Sequence, residues 1–314
     1  MIRWPACPPP FPSATGYLAN ARTLANGPAG HITPRVAADG VIRQQPAVYC
    51  YGQRAYPALA VAALAQASGE EGLVLRRGSD WFDPPWLLGG RSQALAPIPL
   101  DVHGDLRIPW IRHPSSLISL SAADVLAGRV SSGLLTDAWV LVGSSAFGLH
   151  DAIATPFEGA GAGLQAHAQL ITAMVDARMP ATPRIAPIVL GLAAAAGLSL
   201  LILMAAARSR IPSYLLPLAG LGWAVALMLV HAVLLVRASV WIGWVDPAVF
   251  VVMAGVVIGA LEHARSRIDR NRLYAHLSSY LPAPVAQALA LQSPSGAIRA
   301  TTRQVTVMFA DIRN

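Results

Sequence analysis

The chain contains no lysine and little charge of either sign. Its 23 basic residues are all arginine, and only 12% of its 314 residues are charged, about half of the ~25% usual in soluble globular proteins. Hydrophobic residues make up 54% of the chain, and the mean hydropathy is +0.49. This composition argues against an ordinary soluble enzyme. We interpret the absence of lysine as a compositional bias of the coding DNA and not as a feature of a site.

Cysteine is also scarce, since only Cys7 and Cys50 are present. Two cysteines this far apart cannot form a CxxC metal or redox site. They can form one disulfide if their domain lies in an oxidising compartment, but we expect two free thiols. The N-terminal sequence has no apolar core of the kind found in signal peptides, so no signal peptide is predicted.

The net charge is concentrated in the second part of the chain. Residues 1–184 carry 13 arginines and 12 acidic residues, whereas residues 185–314 carry 10 arginines and 4 acidic residues. The basic residues therefore accompany the apolar segments, which indicates a membrane surface as the partner. A nucleic-acid partner is not expected, because its recognition requires basic residues clustered on a folded face.

Three long apolar segments predict three transmembrane helices, at residues 185–207, 213–236 and 239–261. Each is long enough to cross a hydrocarbon core, which takes about 20 helical residues. The alternative is that these are core helices of a soluble protein, but three such segments in succession would need a very large core around them. Asp246 and Pro247 are interpreted as the N-cap and first residue of the third helix.

An odd number of spans places the two flanking regions on opposite sides of the membrane. Six arginines near the spans lie on the same side as the C-terminal flank: Arg208, Arg210, Arg265, Arg267, Arg270 and Arg272. Three lie on the opposite side: Arg178, Arg184 and Arg237. Because cytoplasmic segments carry the excess of positive charge, the C-terminal flank is predicted to be cytoplasmic. We expect a multi-pass protein of the inner (plasma) membrane. Residues 1–184 would be extracytoplasmic and residues 262–314 cytoplasmic, with Trp241 and Trp244 at the outer interface.

Residues 1–180 have the pattern of an α/β domain. Short β-rich runs predict strands at residues 48–51, 98–100, 108–111 and 138–142, the last of them apolar throughout and therefore covered on both faces. Helical spacing of apolar residues predicts helices at residues 56–66, 122–128 and 163–179. We expect the last of these helices to pack on the strand at 138–142.

The region after the third span predicts a cytoplasmic linker at residues 262–303, beginning with an arginine-rich helix. Its apolar residues form a narrow seam, made of Ile268, Leu273, Leu277 and Leu281. A new strand begins at residue 304 and is followed at once by Asp311. Because one strand cannot form a sheet by itself, residues 304–314 are interpreted as the truncated start of a further domain.

Two places have the residue types of a binding site. The predicted strand at 138–142 is followed by Gly143, Ser144 and Ser145, and then by Asp151. A glycine-rich turn at the end of a strand can present backbone amides to a small polar ligand. The alternative is a tight turn that needs glycine for its backbone angles. Asp311 directly follows an apolar strand, where a carboxylate can meet a divalent cation. We find no serine or cysteine paired with a histidine and an acid in residues 1–184, so no hydrolase site is predicted.

Several ordered segments of residues 56–171 resemble the CHASE2 family of extracytoplasmic sensor domains. They are YPALAVAALA (56–65), IPLDVHGDLRIPW (98–110), SAADVLAGRV (121–130) and VLVGSSAFGLHDAIATPFEGAGAGLQAHAQLI (140–171). The resemblance implies that residues 1–180 are a CHASE2-like sensor that binds an extracytoplasmic ligand, whose identity it does not give. Family members usually begin with a membrane anchor and a first βα portion, and neither is recognisable before Ala14, so we expect the N-terminal part to be missing.

The segment VTVMFADIR (305–313) resembles the first strand of class III adenylate and guanylate cyclase domains. The resemblance implies that the Asp311 carboxylate and the Ile312 carbonyl hold two divalent cations, Mg or Mn, in a homodimeric enzyme that converts ATP to cyclic AMP and pyrophosphate. The family's second aspartate and its Asn and Arg would fall beyond Asn314. One carboxylate cannot hold a two-metal site, so the chain by itself is predicted to be inactive and to hold no cofactor.

The sequence therefore predicts the sensor and membrane portion of a class III cyclase, and more specifically of an adenylate cyclase. The alternative is a non-enzymatic CHASE2 membrane receptor or sensor remnant. A third possibility is a peripheral soluble binding protein, which would partition into water without detergent.

Overall fold

A computed structural model describes residues 7, 10–18, 20, 28–52, 54–144, 152–207, 212–278, 306 and 308. The chain forms two compact units, each made of two stretches of sequence. The first is Met1–Ala196 with Trp223–Phe250, and the second is Gly197–Gly222 with Val251–Asn314. The two units are described separately below.

Among the described residues of the first unit, short strands pair with one another in antiparallel fashion, and isolated parallel bridges, such as that of Ser13 with Cys50, add to them. Ten strands are present there: β1 (Arg35–Val36), β2 (Ile42–Pro46), β3 (Val48–Tyr51), β4 (Arg54–Pro57), β5 (Leu73–Arg77), β6 (Trp86–Gly90), β7 (Ile98–Leu100), β8 (Asp105–Arg107), β9 (Ala152–Ile153) and β10 (Gly161–Ala162). They form sheets in the orders β1-β2-β8 and β5-β6-β7 and two pairs, β3-β4 and β9-β10. The predicted strands at 48–51 and 98–100 are confirmed, whereas the strand predicted at 108–111 was wrong, because the strand in this region is β8, Asp105–Arg107, and residues 108–111 form no strand.

Three α-helices of the described residues complete this mixed α and β region: α1 (Leu59–Ala67), α2 (Ala122–Leu126) and α3 (Leu164–Val175). Helix α1 begins later than predicted because Tyr56 and Pro57 continue strand β4. Helix α3 packs against α1 and β10. Their apolar faces close a core that includes Val61, Leu88 and Leu170, each fully buried.

The strand predicted at residues 138–142 is not present. Residues 138–144 form no regular structure, and Trp139, Val140 and Val142 are 46%, 59% and 85% exposed. A strand needs a hydrogen-bonding neighbour, and in the described part of the chain no strand pairs with this run. The expectation that α3 covers it was therefore also wrong, although the Leu164 side chain lies beside Gly143.

Cys7 and Cys50 form a disulfide, so the expectation of two free thiols was wrong. Their Cα atoms are 5.9 Å apart, within the usual range for this bond. Backbone hydrogen bonds bring the N-terminal segment to β3, since the Cys50 amide donates to Pro12 and its carbonyl accepts from Ala14. Sequence spacing could not reveal this approach.

Within the described ranges, three helices are long and apolar enough to cross a membrane, as predicted: α4 (Ala186–Ala206), α5 (Leu215–Ala238) and α6 (Val245–Ser278). Helix α6 departs most from the predicted bounds. Residues 239–244 form an irregular connection before it, and Asp246 lies in its first turn rather than before it. Helix α6 then continues without a break through residues predicted to begin the cytoplasmic linker.

In the second unit, α5 and α6 approach closely through glycines of α6. A Cβ atom added to Gly255 would lie 2.8 Å from the Leu216 carbonyl oxygen, and one added to Gly259 would lie 3.0 Å from Pro217. The two glycines are four residues apart and therefore share one face of the helix, as in small-residue membrane helix contacts. At Gly255 the obstructing atom is backbone, so a side chain there needs a shift of one helix, whereas at Gly259 the Pro217 ring and the Ser213 carbonyl would have to give by a few tenths of an ångström.

Candidate functional site

An ion pair connects the two outer strands of the sheet β1-β2-β8. The Arg35 guanidinium donates two hydrogen bonds to the Asp105 carboxylate, one of them 3.0 Å long from Nη2 to Oδ1. The Asp105 side chain is fully buried, and that of Arg35 is 43% exposed. Burial raises the pKa of Asp105, and the bonds from Arg35 oppose this shift. The pair thereby anchors β8, which carries Arg107.

Arg107 reaches the connection between two membrane helices. Its guanidinium carbon lies 4.3 Å from the centre of the Trp241 ring, a cation–π distance. Burial lowers the pKa of Arg107, while the charge of Asp101 opposes the shift. We call Arg107, Ala181, His231, Trp241 and Ile242 the junction, because they connect the sheet to α4, α5 and α6.

The other members of the junction hold Trp241 in place. Its backbone amide donates to the Ala181 carbonyl over 2.8 Å, and the Ala181 amide donates to Ser239 over the same distance. The His231 ring of α5 meets Trp241 edge-on, with ring centres 4.8 Å apart. The Ile242 amide donates to His231 Nδ1 over 3.4 Å. His231 is therefore a packing partner of the α5–α6 connection.

A second connection links the strands to α4. The loop of residues 78–85 joins β5 to β6, and its carbonyl groups accept from the residues just before α4. The Arg184 amide donates to the Asp83 carbonyl and the Ile185 amide donates to the Trp81 carbonyl, both over 3.0 Å. In addition, Arg184 Nη1 donates to the Gly78 carbonyl over 3.1 Å. The strands thus contact the membrane helices at two separate points.

A matching domain profile decides the family. The profile of the CHASE2 domain matches residues 12–207, more than half of the chain. The chain belongs to the CHASE2 family. No curated protein and no solved structure matches it. The CHASE2 match confirms the resemblance seen at residues 56–171 and supports a sensor role. The matched region extends through α4, so the junction lies partly inside the domain.

The predicted ligand turn of the CHASE2 domain is only half within the described residues. Gly143 and Ser144 are exposed, whereas Ser145 and Asp151 lie outside the described residues. The predicted metal residues Asp311 and Ile312 also lie outside them. Among the residues that the structure does describe, no three His, Cys, Asp or Glu side chains come together as a metal site.

A half-buried histidine tethers the segment before β1 to the CHASE2 core. The His31 amide donates to Pro57, and its carbonyl accepts from Leu59 at the start of α1, each over 2.8 Å. Burial lowers the pKa of His31 to about 4. The nearby Pro46 backbone opposes this shift, and the charge of His167 adds to it. His31 is therefore neutral in the folded protein at neutral pH.

Sequence reasoning missed the junction. Trp241 was expected at the outer membrane interface, but nothing distinguished Arg107 from the other arginines of residues 1–184. Its partner is 134 positions away, counted from residue 107 to residue 241. The useful signal would have been that Trp241 lies in the short non-helical stretch between two apolar segments, because an interfacial tryptophan there is available to the CHASE2 domain.

Proposed function

We propose that this chain is the sensor and membrane portion of a class III adenylate cyclase, which converts ATP to cyclic AMP and pyrophosphate. The contact of Arg107 with Trp241 is the observation that carries the sensor part of the proposal. It joins the CHASE2 sheet to the α5–α6 connection, so a displacement of β8 is passed to both helices directly. A sensor ligand would act by favouring one of two such arrangements.

The proposed orientation places residues 1–184 outside the cytoplasm and residues 262–314 inside it. The arginine distribution of the sequence supports this orientation. The disulfide between Cys7 and Cys50 supports it independently, because disulfides persist in oxidising compartments and are rare in the cytosol. The proposed membrane is the inner (plasma) membrane.

The proposed output rests on the resemblance of VTVMFADIR to the cyclase family. Asp311 and the Ile312 carbonyl would bind two divalent cations together with a second aspartate, and these cations would activate the ribose hydroxyl of ATP. This chain alone offers one of the two carboxylates. The proposed sensor ligand, of unknown identity, would bind at Gly143, Ser144, Ser145 and Asp151.

The proposed enzyme is a homodimer, paired through the part of α6 beyond its apolar residues. Ile268 and Leu273 are 51% and 40% exposed there, although most neighbouring residues are polar. A dimer contact would cover this seam, as apolar residues at helical spacing do in coiled coils. The linker of residues 262–303 would then transmit the state of α6 to the cyclase domains.

Reporter fusions test the orientation. Alkaline phosphatase and green fluorescent protein are each fused after Asp176 and after Arg299, with an export anchor supplied upstream. We expect phosphatase activity at Asp176 and fluorescence at Arg299. The opposite pattern would show that the orientation is wrong.

The cyclase assignment is tested by sequencing the coding DNA beyond Asn314 and expressing the complete product. We expect a second aspartate and the Asn and Arg pair, manganese-dependent formation of cyclic AMP, and loss of that activity in Asp311→Ala. Trp241→Ala should change the activity without abolishing manganese dependence. A stop codon directly after Asn314 would instead favour the non-enzymatic receptor.

A further inference from the structure

The loop of residues 78–85 has a fixed shape. The Asp83 carboxylate accepts from the Ser79 amide over 2.9 Å and from the Asp80 amide and the Ser79 hydroxyl over 3.0 Å. The Gly78 amide donates to the Pro85 carbonyl over 3.2 Å, which closes the base of the loop. Its tip is therefore presented in one conformation.

Two large aromatic side chains occupy this tip. Trp81 and Phe82 are 65% and 78% exposed, even though the loop around them is well bonded. Exposed apolar residues that are scattered singly need no explanation, but two large adjacent aromatic side chains on a well-bonded tip form a small apolar patch, and such patches are candidates for an interaction surface. Arg76 and Arg77, at the end of the preceding strand, are also exposed.

The backbone of the loop places this aromatic tip at the end of a membrane helix. The Trp81 carbonyl accepts from Ile185, the residue just before α4 begins at Ala186. Helix α4 is apolar throughout, so its first turn marks the boundary between headgroups and hydrocarbon. Trp241 is tied to Ala181 in the same region, and tryptophans concentrate at this depth of a bilayer.

We propose that Trp81 and Phe82 insert into the phospholipid leaflet beside the N-terminal end of α4, so that the CHASE2 domain binds the membrane surface directly. The aromatic rings would lie at the level of the headgroups. Arg76 would then be available to lipid phosphates, and so would the exposed Arg77, which also lies 5.2 Å from the centre of the Trp86 ring. This inference rests on one part of the proposed function, the crossing of the membrane by α4 to α6. It does not depend on the orientation or on the cyclase.

Site-specific labelling tests the insertion. No free cysteine is present among the described residues, and Cys7 is bonded to Cys50, so Phe82→Cys provides a single site for an environment-sensitive dye. The labelled full chain is reconstituted into phosphatidylcholine vesicles that are labelled with doxyl groups near the lipid headgroups. We expect strong doxyl quenching and, because the dye leaves water, at least about threefold weaker iodide quenching than for the dye on free cysteine.

Two further labels complete the experiment. Asp80→Cys keeps both aromatic rings, whereas Phe82→Cys removes one of them. We expect the dye at residue 80 to show the same protection from iodide, and this controls for the lost ring. Met253→Cys, in α6, reports whether the helices cross the bilayer. Iodide quenching at residues 80 and 82 as strong as for free dye, with protection at residue 253, would overturn the insertion alone. Loss of protection at residue 253 would overturn the crossing and the insertion together.

Discussion

Replacing Gly255 by alanine should weaken the contact between α5 and α6. The new methyl group would lie 2.8 Å from the Leu216 carbonyl oxygen, whereas ordinary contacts begin near 3.4 Å. The obstructing atom belongs to the backbone, so one helix must move by several tenths of an ångström. Overpacking of this kind costs about 1–3 kcal/mol, against which alanine gains about 1 kcal/mol in helix propensity.

The net expectation is a loss of up to about 2 kcal/mol in the free energy of unfolding. The matched control is Gly222→Ala in α5, where an added Cβ meets no atom within 4 Å. That variant gains propensity without a clash and should be unchanged or slightly more stable. Helix content would be followed by circular dichroism as sodium dodecyl sulfate is titrated into the protein in mild detergent.

The two variants separate packing from propensity, because both make the same change within a membrane helix. If Gly255→Ala unfolds at the same or a higher detergent fraction than Gly222→Ala, then the close approach of α5 and α6 is not present in the protein. Gly259→Ala should resemble Gly255→Ala, because its Cβ would meet Pro217 at 3.0 Å and the Ser213 carbonyl at 3.2 Å.

Three further predictions concern the first unit. The pKa of His31 is lowered to about 4, so the unfolded chain takes up a proton below about pH 6.5 and the folded chain does not. Stability should therefore fall by up to about 3 kcal/mol between pH 6.5 and pH 4, and His31→Gln should flatten this dependence in thermal melts. The disulfide spans 43 positions, so the double variant Cys7→Ser, Cys50→Ser should lose about 4 kcal/mol in the free energy of unfolding. A denaturant midpoint equal to that of the native chain would contradict this. A double-mutant cycle of Arg107→Ala and Trp241→Ala should give a coupling energy of about 1–2 kcal/mol, and additive effects would refute the contact.

The membrane helices could be predicted from sequence because their signal is local. A run such as 185–207 is apolar over its whole length, and length and hydropathy alone decide whether a helix can cross a bilayer. The ends were less predictable, since α6 continues to Ser278. The change from apolar to charged residues near Glu262 marks a change of surroundings but does not end a helix.

Strands and long-range contacts were harder to predict because they depend on partners elsewhere in the chain. The run at 138–142 has the composition of a buried strand, yet no described strand pairs with it. The contact of Arg107 with Trp241 and the bond between Cys7 and Cys50 join residues that no periodic pattern relates. Each depends on the tertiary arrangement, which a residue count along the chain does not contain.

The continuity of α6 has a mechanical consequence. Its 34 residues correspond to a rod about 50 Å long, at 1.5 Å per residue, whereas a hydrocarbon core is about 30 Å thick. A helix of this length that crosses the bilayer extends well beyond it. A tilt of about 5° about one end would move the other end by about 4 Å over that length. The helix can thus act as a lever, which enlarges a small movement at one membrane surface into a larger one at the opposite side.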